Sequence, residues 1–273
     1  MNNNFVKQII FGSFFLIILF LIGFAVYFLF FKQPPSCFDK KQNQNETGID
    51  CGGSCQACEL KTIHPLETIW VRFFSADGKA VLAAEIKNLN PNYASDNFSS
   101  DFEVFGKNGE KIKRISKINS FIYASDIKCL IEITDIDYSD IDNVKLSFSN
   151  VNWLVKDEFS KPAIQIREIT TKALSGNSEI EISGTALNEN NYPLPLIRII
   201  AFLNNSSVLK IGASKTELDD IPAYGEKTFK IIFPKNISLR QSSLAGDNKA
   251  TSTVFDFGAA DQNKTQICAE GKR

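Results

Sequence analysis

Histidine is almost missing from this chain: one residue, His64, among 273. A Ser-His-Asp or Cys-His constellation would have to use it. Its setting, Thr62-Ile63-His64-Pro65, reads instead as an extended surface linker. An HExxH helix, a phosphate-binding glycine loop and a nucleophile elbow are missing as well. So is any excess of positive charge. The chain has 30 Lys and Arg against 31 Asp and Glu, and 28 against 31 beyond position 36, a balance of −3. That argues against a nucleic-acid partner, which needs a basic surface to meet phosphates. Met occurs once and Trp twice, while Phe occurs 23 times. Phe and Ile amid many Asn and Ser suit short strands joined by polar turns.

Residues 9–31 lack charge altogether, over 23 positions. As a helix rising 1.5 Å per residue this run spans roughly 35 Å, against a bilayer core of about 30 Å. It also lacks the polar face of a soluble helix. The expectation is an uncleaved transmembrane anchor at 9–31 that meets the lipid bilayer. A cleaved signal peptide is the competing reading, with Gly23 and Ala25 as its small residues, but six more apolar residues follow Ala25. No lipobox precedes Cys37. Lys7 lies before the run and Lys32, Lys40 and Lys41 after it, a count that favours a cytoplasmic bulk. The cysteine-rich segment that follows points the other way, to an oxidising compartment. The expected topology is a cytoplasmic tail at 1–8, the helix at 9–31, and an extracytoplasmic bulk at the cell membrane.

Four of the six cysteines, Cys37, Cys51, Cys55 and Cys58, fall within residues 37–58 with spacing C-x13-C-x3-C-x2-C. This spacer (32–65) has few apolar side chains, so two disulfides would stand in for a core; four cysteines allow three connectivities. A four-cysteine zinc site is the rival, but structural zinc favours two close pairs and Cys37 is far from Cys51. Asp39, Asn43, Asn45 and Asp50 also invite a calcium reading. Asn43-x-Asn45-x-Thr47-Gly48 echoes the first half of an EF-hand loop, though Ser54 stands where the bidentate Glu belongs. The plain alternative is a loop whose Asn and Asp bond their own backbone. The segment resembles a short cysteine-rich motif of bacterial surface proteins, carried by Cys37, Asp39, Asn43, Glu46, Asp50, Cys51, Gly52, Gly53, Cys55 and Cys58. The resemblance implies a surface location and a stapled spacer, not an activity.

Beyond Glu59 the texture alternates with a period of two, as strands with one buried face require. Leu82, Ala84 and Ile86 oppose Ala83, Glu85 and Lys87; Val144, Leu146 and Phe148 oppose Lys145, Ser147 and Ser149. Asn108-Gly109 is a hairpin signal. The layout recurs: Ile180, Ile182, Gly184 and Ala186, then Ile197, Ile199, Ala201 and Leu203, then Phe229, Ile231 and Phe233. A last strand is expected at 251–257. Asn88 and Asn188 lie 100 residues apart, as do Ile131 and Ile231. The expected fold class is mainly β: an N-terminal helix, then tandem immunoglobulin-like sandwiches of seven strands at 66–156 and 162–258, joined by a linker at 156–162, with a disordered tail at 259–273.

Residues 178–234 resemble FxLyD and related late-embryogenesis-abundant-type β-sandwich domains. The resemblance rests on Gly184-x-Ala186-x-Asn188, the strand LIRIIAFL, and LDDIPAYGEKTFKIIF with its Ile221-Pro222-Ala223-Tyr224-Gly225-Glu226 turn. It implies an extracytoplasmic binding or structural module without a shared active site. Of the remaining candidates, Asp135, Asp137, Asp140 and Asp142 could gather a cation for a metal-dependent hydrolase at loop 135–142, or serve solubility above Ile136, Tyr138 and Ile141. Cys129 shares a face with Ile127, Ile131 and Ile133 and reads as a buried thiol; Trp70 and Trp153 read as core. The functional expectation is a non-catalytic, membrane-anchored interaction or scaffold protein with no cofactor and a protein partner. A subunit of an envelope assembly packing through its helix is the alternative, although no GxxxG is present.

Overall fold

The computed structural model describes residues 3–27, 36–43, 45–174, 179–204, 209–234, 238–240, 252–254 and 265–272. It divides into two compact units, Met1–Ile63 and His64–Arg273.

In the first unit α1 (Asn3–Val26) starts ahead of the uncharged run and takes in Lys7 and Gln8. No proline before position 34 interrupts it. Its apolar side chains are exposed on all sides, Phe11 and Phe20 among the most, so no stripe is set aside for a protein core. Among the described residues no helix is long and apolar enough to cross a membrane. The last part of the expected span, residues 28–31, lies outside them.

The cysteine segment pairs in interleaved order, Cys37 with Cys55 and Cys51 with Cys58. Its turns need left-handed backbone at Lys40, Asn45, Asp50, Gly52 and Gly53. Only glycine fits at the last two: a Cβ on Gly52 would come 1.9 Å from Thr47 Oγ1, and one on Gly53 2.2 Å from the Asn45 carbonyl oxygen.

The second unit is built of antiparallel sheets. In its first half run β1 (Glu67–Ala76), β2 (Lys79–Lys87), β3 (Tyr93–Gly106), β4 (Lys111–Ile122), β5 (Ile127–Asp137) and β6 (Ile141–Val155). They form two sheets, β1-β2-β5 and β4-β3-β6. Alternation turns Leu82, Ala84 and Ile86 of one sheet toward Phe98, Phe102 and Val104 of the other, in one shared core. The Asn108-Gly109 turn joins β3 to β4, with Gly109 at φ 76°. The second half has β7 (Ile164–Leu174), β8 (Glu179–Asn188), β9 (Leu194–Asn204), β10 (Lys210–Ile221) and β11 (Glu226–Phe233). β12 (Ser238–Arg240) pairs with β13 (Ser252–Val254), and β14 (Gln266–Gly271) comes last. Here the sheets are β11-β8-β7 and β10-β9-β14, and Phe229, Ile231 and Phe233 share a core with Ile199, Ala201 and Leu203.

The halves match bond for bond at one corner. Asn88 Nδ2 donates to the Tyr93 and Tyr123 carbonyls, and its Oδ1 accepts from the Asn90 backbone and side-chain N–H groups. Asn188 does the same with Tyr192, Pro222 and Asn190. Asn90 exchanges two bonds with the His64 backbone, and Asn190 two with the Ala163 backbone. Both central asparagines are fully buried, so each amide satisfies backbone groups that would otherwise be stranded.

Three expectations change. Within the expected tail at 259–273, residues 266–271 form a strand: β14 pairs antiparallel with β9 as β6 does with β3, and takes the corresponding place in the second half, while 259–264 and 273 lie outside the described residues. Six residues of mixed polarity carry too short an alternation to announce a strand. Among the described residues each half thus has six strands in its two sheets, not seven; β13 covers only part of the expected 251–257, and 251 and 255–257 lie outside them. Finally, Ile131 does not match Ile231. Ala83 pairs with Ile131 and Ser183 with Lys230, so Ile131 corresponds to Lys230. The loop from Asn88 to Tyr93 is one residue longer than that from Asn188 to Tyr192, which shifts the positions in β9, β10 and β11 by one.

Candidate functional site

The sequence-derived candidates are spread out. In the cysteine segment, Asp50 accepts from the Lys40 backbone N–H at 2.9 Å, and Asp39 from the Lys41 N–H at 2.9 Å and Asn43 Nδ2 at 2.8 Å. The Asn43 bond, with the Lys41 and Ser36 N–H bonds, holds the Asp39 carboxyl below its usual range. Buried Glu46 accepts from the Asn43 and Asp50 N–H groups. Asn45 occupies a left-handed turn. Asp39, Asn43 and Asp50, three of the four residues proposed for calcium, are thus engaged within the loop, and all four cysteines proposed for zinc are in disulfides.

His64 is exposed and contributes its backbone to the Asn90 corner. In the acidic loop Asp137 pairs with Lys79 at 2.8 Å and Asp135 with Lys113 at 2.7 Å. Asp140 and Asp142 are exposed, while Tyr138 and Ile141 are buried beneath them. Trp153 packs on the first half's core.

A different region draws chemistry-bearing residues together: the seam between the halves. Phe74, Val81, Ala83, Cys129 and Ile131 from the outward face of β1-β2-β5 bury against Ile200, Phe202 and Ala213 of β9 and β10. Cys129 is not a free thiol, because it bonds Cys268 of β14 across the seam. Trp70 meets Phe202 edge-on at 5.1 Å. Glu85, almost wholly buried, accepts from Trp70 Nε1 and Gln266 Nε2, and Lys210 Nζ lies 3.7 Å away. Lys128, fully enclosed, pairs with Glu270, which also takes Arg198 Nη1 at 3.0 Å. Burial pushes the Lys128 ammonium below its usual range while Glu270 opposes that shift. Lys128 also sits 4.1 Å over the Phe121 ring, and Tyr123 stacks on Phe159 at 4.8 Å. The Tyr123 hydroxyl donates to the Gly271 carbonyl at 2.6 Å, and burial raises its pKa.

Two open clefts flank the Lys128–Glu270 pair. One of about 220 Å³ runs beside Ile267–Gly271 between Tyr123, Lys161 and Ile166. The other, about 400 Å³, lies among Lys117, Phe121, Leu196, Arg198 and Lys272. Among the described residues the seam's sulfurs are in a disulfide and its carboxylates, Glu85 and Glu270, are ion-paired. Sequence reading missed Lys128, Arg198, Glu85 and Glu270, since charged residues inside strands read as solvent-facing. The pairing of Cys129 with Cys268 did have a signal: two cysteines remain once four are assigned to the spacer.

No protein-family model and no curated protein matches the chain. Among solved structures, red sea bream transglutaminase is similar over 62% of this chain and 28% of its own length, with 13% identity and a TM-score of 0.18. The chain thus spans little more than a quarter of that protein, and a likeness at this level carries no argument about fold or activity.

Proposed function

We propose that this chain is a single-pass, membrane-anchored extracytoplasmic scaffold: a non-catalytic protein that presents two tandem immunoglobulin-like sandwiches to a protein partner. The observation that carries this reading is the seam. A disulfide, a buried aliphatic core and an enclosed ion pair join the halves. Such a joint fixes the spacing of two surfaces and spends its polar groups on doing so. Three disulfides favour an oxidising compartment. The uncharged run at 9–31 and the resemblance to FxLyD-type domains support the anchor and the sandwich type. Protease added to intact cells stripped of outer barriers should digest the chain beyond the anchor, and a thiol reagent should find few free cysteines there. Full protection from protease would overturn the orientation. An envelope-assembly subunit is favoured by one observation, the apolar surface that α1 exposes all round. Deleting residues 1–31 separates the two: a scaffold still captures its partner from cells, a helix-packed subunit does not.

A further inference from the structure

At one corner of the seam, where β4, β5, β9, β10 and β14 converge, positive charge outnumbers negative. Lys117 pairs with Glu132 at 2.9 Å, Arg198 with Glu217 at 2.8 Å and with Glu270 at 3.0 Å, and Lys128 also with Glu270. That places three cations on three carboxylates. Two further cations stand beside them. Lys215 of β10 is half-buried, within electrostatic reach of Lys117, Arg198, Glu132 and Glu217, and has no carboxylate at ion-pair distance among the described residues. Burial first, then Lys117 and Arg198, holds its ammonium below the usual range. Lys272 donates to a backbone carbonyl, that of Asp96, at 3.0 Å and lies 5.6 Å from the Phe121 ring and 5.5 Å from that of Phe159. The corner so keeps two surplus positive charges in a chain whose net charge is −1. Like charges gathered beside a low-dielectric wall repel one another, and the site gains when an anion is supplied. The cleft of about 400 Å³ opens here, and its rim carries Lys117, Arg198 and Lys272 along with Phe121, Pro195 and Leu196; Glu270 lines it too, its charge already met by Lys128 and Arg198.

We propose that this corner binds a carboxylate-bearing ligand, with the carboxylate between Lys117, Arg198 and Lys272, Lys215 adding positive charge through its coupling to Lys117 and Arg198, and the ligand's apolar part on Phe121, Pro195 and Leu196. A carboxylate fits better than a phosphate. The cations here already hold carboxylates, and neither an α-helix N-terminus nor a glycine nest lines the cleft among the described residues.

The test is calorimetric titration of the full chain in neutral detergent at constant ionic strength. Four probes are used: succinate, a Glu-rich decapeptide, its Gln counterpart and inorganic phosphate. Saturable binding of succinate or the Glu peptide is expected, with none for the Gln peptide. Lys272→Gln and Lys215→Gln should each weaken it by about threefold or more, while Lys107→Gln on the remote β3–β4 turn leaves it unchanged. Equal affinity for both carboxylate probes would assign a small acid; a much tighter peptide would assign an acidic protein segment. No saturation by either, phosphate bound more tightly, or equal weakening by Lys107→Gln would overturn the proposal. Among the described residues neither target lysine sits in an ion pair, so the variants are expected to melt like the parent, and a weakened titration at unchanged melting temperature reports binding.

Discussion

On the outward face of β3 and β4 the first half carries Asp101 and Glu103, bonded to Arg114 and Lys111. Ladder pairing places Ile200 and Phe202 at the corresponding positions of the second half, with Ala213 in place of Arg114. The opposite sheets are reversed: Ile131 of the first half is buried in the seam, and its counterpart Lys230 is exposed. One frame, held by the same asparagine corner, thus carries two different coats. The apolar coats lie on non-equivalent sheets, so the halves join head to tail. Such contacts can propagate without end, but here the two free outward faces are polar. The duplication is a closed pair because of a few outward residues, while the inward ones stay alike.

The comparison breaks most sharply at Phe202. Phe202→Glu gives the second half the side chain that Glu103 gives the first. Losing a buried Phe costs about 3–5 kcal/mol, and burying a charge adds to that. Chemical denaturation should show a collapse of stability, whereas Glu103→Phe should change it by under about 1 kcal/mol. A mild Phe202→Glu would mean that the seam is not a core. Next comes the disulfide. Cys268→Ser opens a loop of 139 residues' separation and should cost about 2–4 kcal/mol, read as a lower melting temperature. A variant that melts like the parent would remove the covalent part of the comparison.

Asn88→Ala and Asn188→Ala sharpen the likeness. Each strands buried backbone partners, at about 1–3 kcal/mol apiece, and the two losses should agree in denaturant titrations. Asp101 tests the difference through pH. Its bonds to Arg114 and Ser116 hold the carboxyl below its usual 3.8. A depressed carboxyl stabilises the fold above the unfolded pKa and loses that contribution as pH falls through the folded value. Melting temperature should therefore drop below about pH 3.8 less steeply in Asp101→Asn than in the parent. Lys230→Ala should do least, under about 0.5 kcal/mol. A larger loss there would mean that the register of β11 had been misread.

Much of this was legible from alternation alone. Leu82, Ala84 and Ile86, Phe229, Ile231 and Phe233, and the Asn108-Gly109 turn all stand where their pattern places them, because one buried face per strand leaves a period-two trace. The seam left none. Ala83 and Glu85 were read as the solvent side of β2, and a sequence cannot separate an outward face that meets water from one that meets the other half. Glu85 and Lys128 are polar at buried positions because each found a partner more than 100 residues away, Gln266 and Glu270. Such pairings leave no local periodicity. The candidate site shared that fate, since its cations Lys117, Arg198 and Lys215 lie on three strands from both halves and Lys272 just past β14.

β14 also sets an order in time. All six strands of the first half lie within residues 67–155, so that half can close while the chain is still being made. The second half waits for residues 266–271 to complete its β9 sheet. Until Cys268 emerges, Cys129 has no native partner, and the apolar surfaces around Ile131 and Phe202 have no finished counterpart. During synthesis the nascent chain therefore passes through an interval in which the Cys129 thiol is unpaired and the apolar flank around Ile131 is uncovered. That is the interval in which a thiol oxidase or a holdase chaperone has something to act on.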